Sequence, residues 1–242
     1  PRLDEFAIND GKKHPCILII PGGGYDHLSD HEGENVAIEL NKLGISAFVL
    51  YYRIAPYRHP IYLYDIKRTM RYIRYNAEKY GIYEDKIGIM GFSAGGHLAC
   101  ICAENVNKFE YEPIDDIDKV SSRPDILCLC YPVVTISKEI AHKRSGDNMA
   151  GDDMEIRKAL SCELAVPDDM PPTFVWHTFE DKSVDCRNSL ELGIAMKEKE
   201  VPFEMHIFQK GRHGLDFANG VEGTEKWFEL FLTWAKIQKF II

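Results

Sequence analysis

Short apolar runs alternate with longer helix-like segments along most of the chain, and no other feature constrains the fold as strongly. Runs typical of buried strands lie at 16–20, 46–52, 86–90, 125–131, 173–177 and 203–208. Segments with apolar residues at the helical period of 3.6 lie at 34–43, 62–80, 97–104, 186–200 and 224–240. Strands and helices that alternate at this spacing predict an α/β fold, with a mostly parallel central sheet and helices on both faces.

The composition is that of a globular protein, and it excludes several function classes. The 242 residues are 45% hydrophobic and 28% charged, with a net charge of −9. No apolar run approaches the ~20 residues that span a membrane. No block of Lys or Arg offers the basic face that nucleic acid needs, and no secretory signal pattern opens the sequence. We therefore expect no membrane and no nucleic-acid partner.

The seven cysteines indicate the redox state of the cellular compartment. Their number is odd, and five of them lie in apolar runs. The pairs Cys100/Cys102 and Cys128/Cys130 are separated by one residue, whereas common zinc and redox motifs have two. We predict buried free thiols that pack as small hydrophobes, which fits a cytoplasmic location.

Residues 133–170 interrupt the alternation with a polar stretch that contains several aspartates. Its length of about 40 residues exceeds that of an ordinary connection, so it predicts a functional insert. No linker or repeat is evident elsewhere. We therefore predict a single domain, 1–242, in which the insert 133–170 is the candidate cap over the site.

The strongest chemical signal is the G-x-S-x-G pattern around Ser93. It follows the predicted strand 86–90 and precedes the predicted helix 97–104. A serine on such a sharp turn can present its hydroxyl at the sheet edge, and the N–H of Ala94 can face a developing oxyanion. The alternative is an incidental serine in a glycine-rich turn.

A second signal is the run Pro-Gly-Gly-Gly-Tyr at 21–25, directly after a predicted strand. Consecutive glycines allow the backbone to approach a ligand and to direct N–H groups at it, as acyl transfer requires. A phosphate-binding loop is disfavoured because no Lys-Ser/Thr pair follows. A plain turn stays an alternative.

A serine nucleophile needs a neighbouring base, and His213 is the best candidate among nine histidines. It follows the predicted strand 203–208, at the sheet edge that also carries Ser93. A merely solvated loop histidine is the alternative. Other histidines have local explanations. His206 lies within a predicted strand and His97 within a predicted helix, and His177 lies at a strand end, where it can orient a loop.

A carboxylate should hold the histidine in the tautomer that can accept the serine proton. In a fold with this strand–serine–helix turn, the carboxylate stands between the serine and the histidine along the chain. Asp181 follows the predicted strand 173–177 and precedes His213. Glu180 and Asp185 are alternatives on local pattern alone.

Two further groupings have simpler explanations. His27, His31 and Glu32 lack a further ligand at metal-binding spacing, so no metal is predicted there. Tyrosines and arginines alternate on the predicted helix 62–80, which we interpret as a solvated face with interleaved packing. The residues are Tyr72, Tyr75, Tyr80, Arg68, Arg71 and Arg74.

These motifs resemble the α/β-hydrolase superfamily, in particular the hormone-sensitive-lipase-like and acetyl-xylan-esterase-like branch of small bacterial carboxylesterases. The resemblance extends from residue 16 to about 234. Its motifs are PGGGY at 21–25, GFSAGGHLA at 91–99, PPTFVWHTFEDKSV at 171–184 and VPFEMHIFQKGRHG at 201–214. It implies an α/β-hydrolase fold with a short insert after the sixth strand.

The resemblance also implies roles for individual residues. Ser93 corresponds to the nucleophile, Asp181 to the acid and His213 to the base. The backbone N–H groups of the oxyanion hole correspond to Gly23, Gly24 and Ala94, and Tyr25 is expected to contact substrate. Two positions depart from the family pattern. Pro21 stands where a histidine usually opens the glycine motif, and Asp185 stands where a proline often follows Val184.

We therefore expect a serine hydrolase that cleaves short-chain carboxylic esters through an acyl-enzyme, with acetyl esters of sugars or xylan fragments as candidate substrates. No metal or organic cofactor is expected, the expected partner is a small-molecule ester, and a homodimer is the candidate assembly. Two alternatives use the same fold. One is an acylaminoacyl-type peptidase or amidase, and the other is a catalytically idle binding protein.

Overall fold

A central sheet organises residues 1–241, the part of the chain that the computed structural model describes. Its strands are β1 (Arg2–Phe6), β2 (His14–Ile20), β3 (Ser46–Tyr51), β4 (Ile82–Phe92), β5 (Leu127–Cys130), β6 (Thr173–Thr178) and β7 (Phe203–Phe208). Their spatial order is β1-β3-β2-β4-β5-β6-β7. β1 pairs antiparallel with β3, and the other neighbours pair in parallel.

Helices cover both faces of the sheet. They are α1 (Glu34–Lys42), α2 (Ile61–Tyr75), α3 (Ala94–Glu104), α4 (Lys143–Ala150), α5 (Met154–Ala159), α6 (Arg187–Glu198) and α7 (Trp227–Ile237). Short 3₁₀ turns lie at Asp30–Glu32, Asp116–Lys119, Cys162–Leu164 and Thr224–Lys226. Within residues 1–241, no helix has the length and apolar character of a membrane span.

The apolar strand β2 shows why the sheet is buried on both sides. Successive side chains of a strand point to opposite faces. Ile17 and Ile19 therefore join the cluster that includes residues of α1 and α7, whereas Leu18 and Ile20 join the cluster that includes residues of α2, α3 and α6. Complete burial of such a side chain contributes about 1.5–3 kcal/mol. The predicted mostly parallel sheet with helices on both faces is confirmed.

Several boundaries differ from the sequence prediction for physical reasons. β1 was not predicted, because three of its five residues are charged and it lies half exposed at the sheet edge. The helix predicted at 62–80 ends at Tyr75, where the side-chain amide of Asn76 donates to the carbonyl of Tyr72. The insert 133–170 was expected after the sixth strand, but it follows β5, the fifth strand in chain order. The count is lower than expected because, in the described residues, β1 alone precedes β2.

The tyrosines and arginines of α2 were predicted to form a solvated face with interleaved packing. Tyr75 is exposed, but Arg71 and Arg74 are largely covered, in contrast to the prediction. The segment 105–125 lies over them and supplies their acidic partners. Arg68 pairs with Asp115 and Asp118, Arg71 with Glu110, and Arg74 with Asp125. Arg71 is 8% exposed. The chain's own acidic segment thus covers this face.

The insert 133–170 contains α4 and α5 and is attached to α3 and to the glycine run 22–24. The ring of His97 in α3 donates through Nε2 to the carbonyl of Leu160, 2.7 Å away. The side-chain amide of Asn148 in α4 donates to the carbonyl of Gly24 at 2.9 Å. The seven cysteines are free thiols, and six of them are buried, as predicted.

Candidate active site

Ser93 lies at the junction of β4 and α3 in a strained backbone conformation. Its φ of 54° and ψ of −118° are unusual for a residue with a side chain. The flanking glycines make the turn possible. A Cβ on Gly91 would lie 2.5 Å from the carbonyl oxygen of Gly95, and a Cβ on Gly95 would lie 2.1 Å from that of Ile20. The G-x-S-x-G pattern is therefore a steric requirement of this turn.

Three side chains from different strand ends form one hydrogen-bonded chain. His213 Nε2 lies 2.7 Å from Ser93 Oγ, and His213 Nδ1 lies 2.6 Å from Asp181 Oδ2. The residues follow β4, β6 and β7, whose carboxyl ends share one edge of the sheet. The structure thus brings together the serine, histidine and aspartate that the sequence indicated.

Asp181 is held by donors on both of its oxygens. Oδ1 accepts the N–H groups of Ser183 and Val184, and Oδ2 lies 3.2 Å from His177 Nε2. Burial alone would raise the pKa of this carboxyl, but the hydrogen bonds from His177 and His213 outweigh burial and hold the pKa well below its usual range. The carboxylate is therefore ionised wherever the histidine can act as a base.

The two alternative acids lie in other surroundings. Glu180 accepts the N–H of Gly211, and Asp185 pairs with Arg187 at the surface. Neither forms a hydrogen bond with His213 in the described residues. Geometry therefore favours Asp181 as the partner of the histidine.

The glycine run approaches Ser93 closely. A Cβ on Gly22 would lie 2.9 Å from Ser93 Cβ, and Gly23 and Gly24 have φ values of +122° and +62°. The N–H of Gly22 donates to Glu32 Oε2. Within residues 1–241, the N–H groups of Gly23, Gly24 and Ala94 have no hydrogen-bond acceptor. These N–H groups are available to a substrate oxygen.

Tyr25 does not line the site, in contrast to the expected substrate contact. Its φ of 67° turns the side chain into the core, where it is fully buried. The hydroxyl donates to His97 Nδ1 at 2.7 Å, and the ring stacks on Tyr62. Tyr25 therefore supports the glycine loop from below.

A cavity of about 160 Å³ lies over Ser93 and His213. Gly23 and Gly24 line one side of it, and the insert contributes His142 and Arg144. A larger surface depression, of about 780 Å³, lies beside Phe179 and includes Asp181, but it does not reach Ser93. The smaller cavity is the relevant one, because it contains the serine and histidine together.

Comparison with known proteins decides the family. The BD-FAE family model matches residues 6–196. The chain belongs to the BD-FAE family. The resemblance to esterases of the α/β-hydrolase superfamily is thereby confirmed.

Proteins similar to this BD-FAE chain have names that describe activities on xylan or on its acetyl esters. Endo-1,4-beta-xylanase B of Butyrivibrio fibrisolvens is 39% identical over 90% of this chain and 35% of its own length. Acetylxylan esterase of Xylanibacter ruminicola is 30% identical over 91% of this chain and 45% of its own length. The chain thus spans less than half of either curated relative. The crystal structure of an acetyl ester-xyloside bifunctional hydrolase from Caldicellulosiruptor lactoaceticus aligns with a TM-score of 0.95 and 42% identity, covering 99% of this chain and 89% of that one.

Two residues of the candidate site in this BD-FAE chain were not assigned by sequence reasoning. His177 was considered only as a residue that orients a loop, yet it contacts Asp181 directly. Its position four residues before Asp181, at the end of β6, was the available signal. Glu32 was considered only as a metal ligand, yet it is buried and accepts the N–H of Gly22. No sequence signal marks this contact.

Proposed function

We propose that this chain is a serine carboxylesterase that hydrolyses short acyl esters, including acetyl esters of xylan-derived sugars. The observation that carries the proposal is the continuous hydrogen-bonded chain from Ser93 through His213 to Asp181. This constellation activates a hydroxyl for attack on a carbonyl carbon.

The reaction follows from the positions of the atoms. His213 Nε2 accepts the proton of Ser93 Oγ as that oxygen attacks the ester carbonyl. The N–H groups of Gly23, Gly24 and Ala94 stabilise the oxyanion, each by about 3 kcal/mol. His213 then protonates the leaving alcohol, and Asp181 stabilises the charged imidazole. Water, activated by His213, hydrolyses the acyl-enzyme, so the sequence of steps needs no metal or organic cofactor.

Two observations support the substrate class. The cavity of about 160 Å³ over Ser93 suits a short acyl group such as acetyl. The similar proteins include an acetylxylan esterase and an acetyl ester-xyloside hydrolase. A panel of acetylated xylo-oligosaccharides, p-nitrophenyl esters of increasing chain length and an aminoacyl anilide tests this choice. Faster turnover of the anilide than of the acetyl esters would favour the peptidase alternative.

Replacement of the nucleophile is the direct test of the chemistry. We expect Ser93→Ala to reduce turnover of p-nitrophenyl acetate at least about 10⁴-fold. It removes one hydrogen bond, so Tm should fall by no more than about 2–4 °C. Ser121→Ala, on the segment that covers α2, is the matched control and should retain full activity. If Ser93→Ala keeps its activity, or if a fluorophosphonate probe fails to label the wild-type serine, the proposal is wrong.

We also propose a cytoplasmic location and a homodimeric assembly. The free state of all seven cysteines supports a reducing compartment. Light scattering after size-exclusion chromatography tests the assembly, and a monomeric mass would reject it.

A further inference from the structure

One carboxylate outside the Ser93–His213–Asp181 chain lies buried between the loops of the site. Glu32 ends the 3₁₀ turn that follows the glycine run and is 2% exposed. A buried carboxylate is costly unless it is well hydrogen-bonded. Its partners therefore indicate what keeps it there.

Both oxygens of Glu32 accept a hydrogen bond. Oε2 lies 2.8 Å from the N–H of Gly22, and Oε1 lies 2.7 Å from the hydroxyl of Tyr131. That hydroxyl in turn accepts the N–H of Asp216 at 3.1 Å. Gly22, Tyr131 and Asp216 follow β2, β5 and β7 respectively. Glu32 thus connects three loops at the sheet edge where the site lies.

Each of these contacts is next to a proposed catalytic group. Gly22 immediately precedes Gly23 and Gly24, whose N–H groups are the proposed oxyanion donors. The Tyr131 ring packs edge-on against the His213 ring, with centroids 5.0 Å apart. Asp216 lies three residues after His213. A shift of Glu32 would therefore move both the oxyanion donors and the base.

The arrangement matches the two acceptor oxygens of a carboxylate. Gly22 and Tyr131 both present donors, and Glu32 meets them with two acceptor oxygens. Glutamine in the same place offers one acceptor and one donor. If its oxygen keeps the N–H of Gly22, its NH₂ group faces the Tyr131 hydroxyl, which must then accept and loses the acceptor for its own proton. The position can therefore be tested with a side chain of nearly unchanged shape.

We propose that Glu32 is a positioning residue for the transition state of ester hydrolysis. It holds the glycine run in the conformation that directs the N–H groups of Gly23 and Gly24 at the oxyanion, and through Tyr131 it fixes the loop that carries His213. This inference rests on the proposed function, in which Ser93 attacks an ester carbonyl.

Glu32→Gln tests the inference through kcat and KM for p-nitrophenyl acetate and through the rate of fluorophosphonate labelling of Ser93. We expect kcat and the labelling rate to fall together, about 10- to 100-fold, because both reactions use the oxyanion donors. KM should change by less than about threefold, since these donors act mainly on the transition state.

Asp118→Asn is the matched control. Asp118 is also a buried carboxylate that accepts a tyrosine hydroxyl and a backbone N–H, from Tyr111 and Ile114, but it lies over α2. We expect it to lower Tm and to leave kcat and labelling unchanged. A loss of kcat in Asp118→Asn equal to that in Glu32→Gln would assign the effect to general destabilisation and overturn the proposal.

Tyr131→Phe keeps the ring and removes the hydroxyl, so it tests the same network if Glu32→Gln does not fold. We expect kcat to fall about 3- to 30-fold, and the double variant, where it folds, to lose little more than Glu32→Gln. Wild-type-like kcat in Glu32→Gln, or in Tyr131→Phe when the former is unfolded, would overturn the proposal.

The outcomes also separate this inference from the proposed function. If the wild type is labelled but does not hydrolyse acetyl esters, the proposed substrate is wrong, and the labelling rates still decide the role of Glu32. If the wild type is neither labelled nor active, both proposals fail.

Discussion

Asp181→Asn is the substitution whose effect follows most directly from the hydrogen bonds of the site. Asp181 Oδ1 accepts two backbone N–H groups, from Ser183 and Val184, at 2.8 and 2.9 Å. In the asparagine variant the amide oxygen must keep this position, because an NH₂ group there would face two donors. The amide nitrogen then takes the position of Oδ2, 2.6 Å from His213 Nδ1 in the wild type.

The consequence is the wrong tautomer of the base. An NH₂ group donates to His213 Nδ1, so the remaining proton of the neutral ring lies on Nε2 and points at Ser93 Oγ. The ring can then no longer accept the serine proton. We expect kcat to fall about 10³- to 10⁴-fold, equivalent to about 4–5.5 kcal/mol of transition-state stabilisation. The free energy of unfolding should also fall by about 1–3 kcal/mol. The new NH₂ group would face the Nε2–H of His177, which meets the acceptor Oδ2 in the wild type.

Initial rates with p-nitrophenyl acetate measure the loss in kcat, and urea denaturation measures the loss in stability. Asp185→Asn is the control, because this acid lies four residues away and pairs with the exposed Arg187. Asp185→Asn should retain kcat within about twofold, because an exposed ion pair contributes little to the stability of the fold. If Asp181→Asn retains more than a tenth of the wild-type kcat, the assignment of the tautomer to Asp181 is refuted.

Two further predictions concern pH and stability. Burial and the nearby charge of Glu32 raise the pKa of Asp216 to about 7. The folded state therefore binds this proton more tightly, and stability from this group falls as pH rises from about 4 to 7. Asp216→Asn should be more stable than the wild type at pH 8, by about 1–2 kcal/mol after allowance for partial exposure, and not at pH 4. Equal stability differences at both pH values in urea titrations would contradict this. Burial lowers the pKa of His97 to about 4, so its contribution to stability is lost as pH falls from about 6.5 to 4. His97→Phe should weaken that acid sensitivity in thermal melts and cost about 2–4 kcal/mol at pH 7, because the Tyr25 hydroxyl and the Leu160 carbonyl lose their partner. An unchanged melting profile would contradict this assignment.

The sequence was sufficient for those parts of the fold in which local pattern and tertiary environment agree. β2 and β3 are buried on both faces, so their continuous apolar sequences indicated strands directly. β1 is an edge strand with a half-exposed pattern, and only its pairing with β3 makes it recognisable. The burial of Arg71 and Arg74 in α2 was not predicted, because the acidic residues that pair with them lie in 105–125. The helical spacing of apolar residues carries no information about such ion pairs.

The site shows the same division. Ser93, Asp181 and His213 could be placed together from sequence because each follows a parallel strand, and the carboxyl ends of parallel strands share one edge. Glu32 could not be placed, because its contacts depend on side-chain orientation after the glycine run turns back over the sheet. Tyr25 was misplaced for a related reason. A positive φ reverses its side chain, and the glycines before it gave no indication of that reversal.

Hydrogen bonds hold the backbone of the glycine run on both sides of the proposed oxyanion donors. Glu32 fixes the N–H of Gly22 on one side, and Asn148 fixes the carbonyl of Gly24 on the other. Between these anchors, the carbonyl of Gly22 accepts the N–H of Ser29, and the carbonyl of Gly23 accepts the N–H groups of Asp26 and His27. These bonds fix the peptide planes that carry the N–H groups of Gly23 and Gly24 before any substrate arrives. Preorganised donors stabilise an oxyanion without the cost of reorientation. Because Asn148 belongs to α4, the insert 133–170 acts as a structural partner of the glycine run, and its removal would free the carbonyl of Gly24 next to the donor pair.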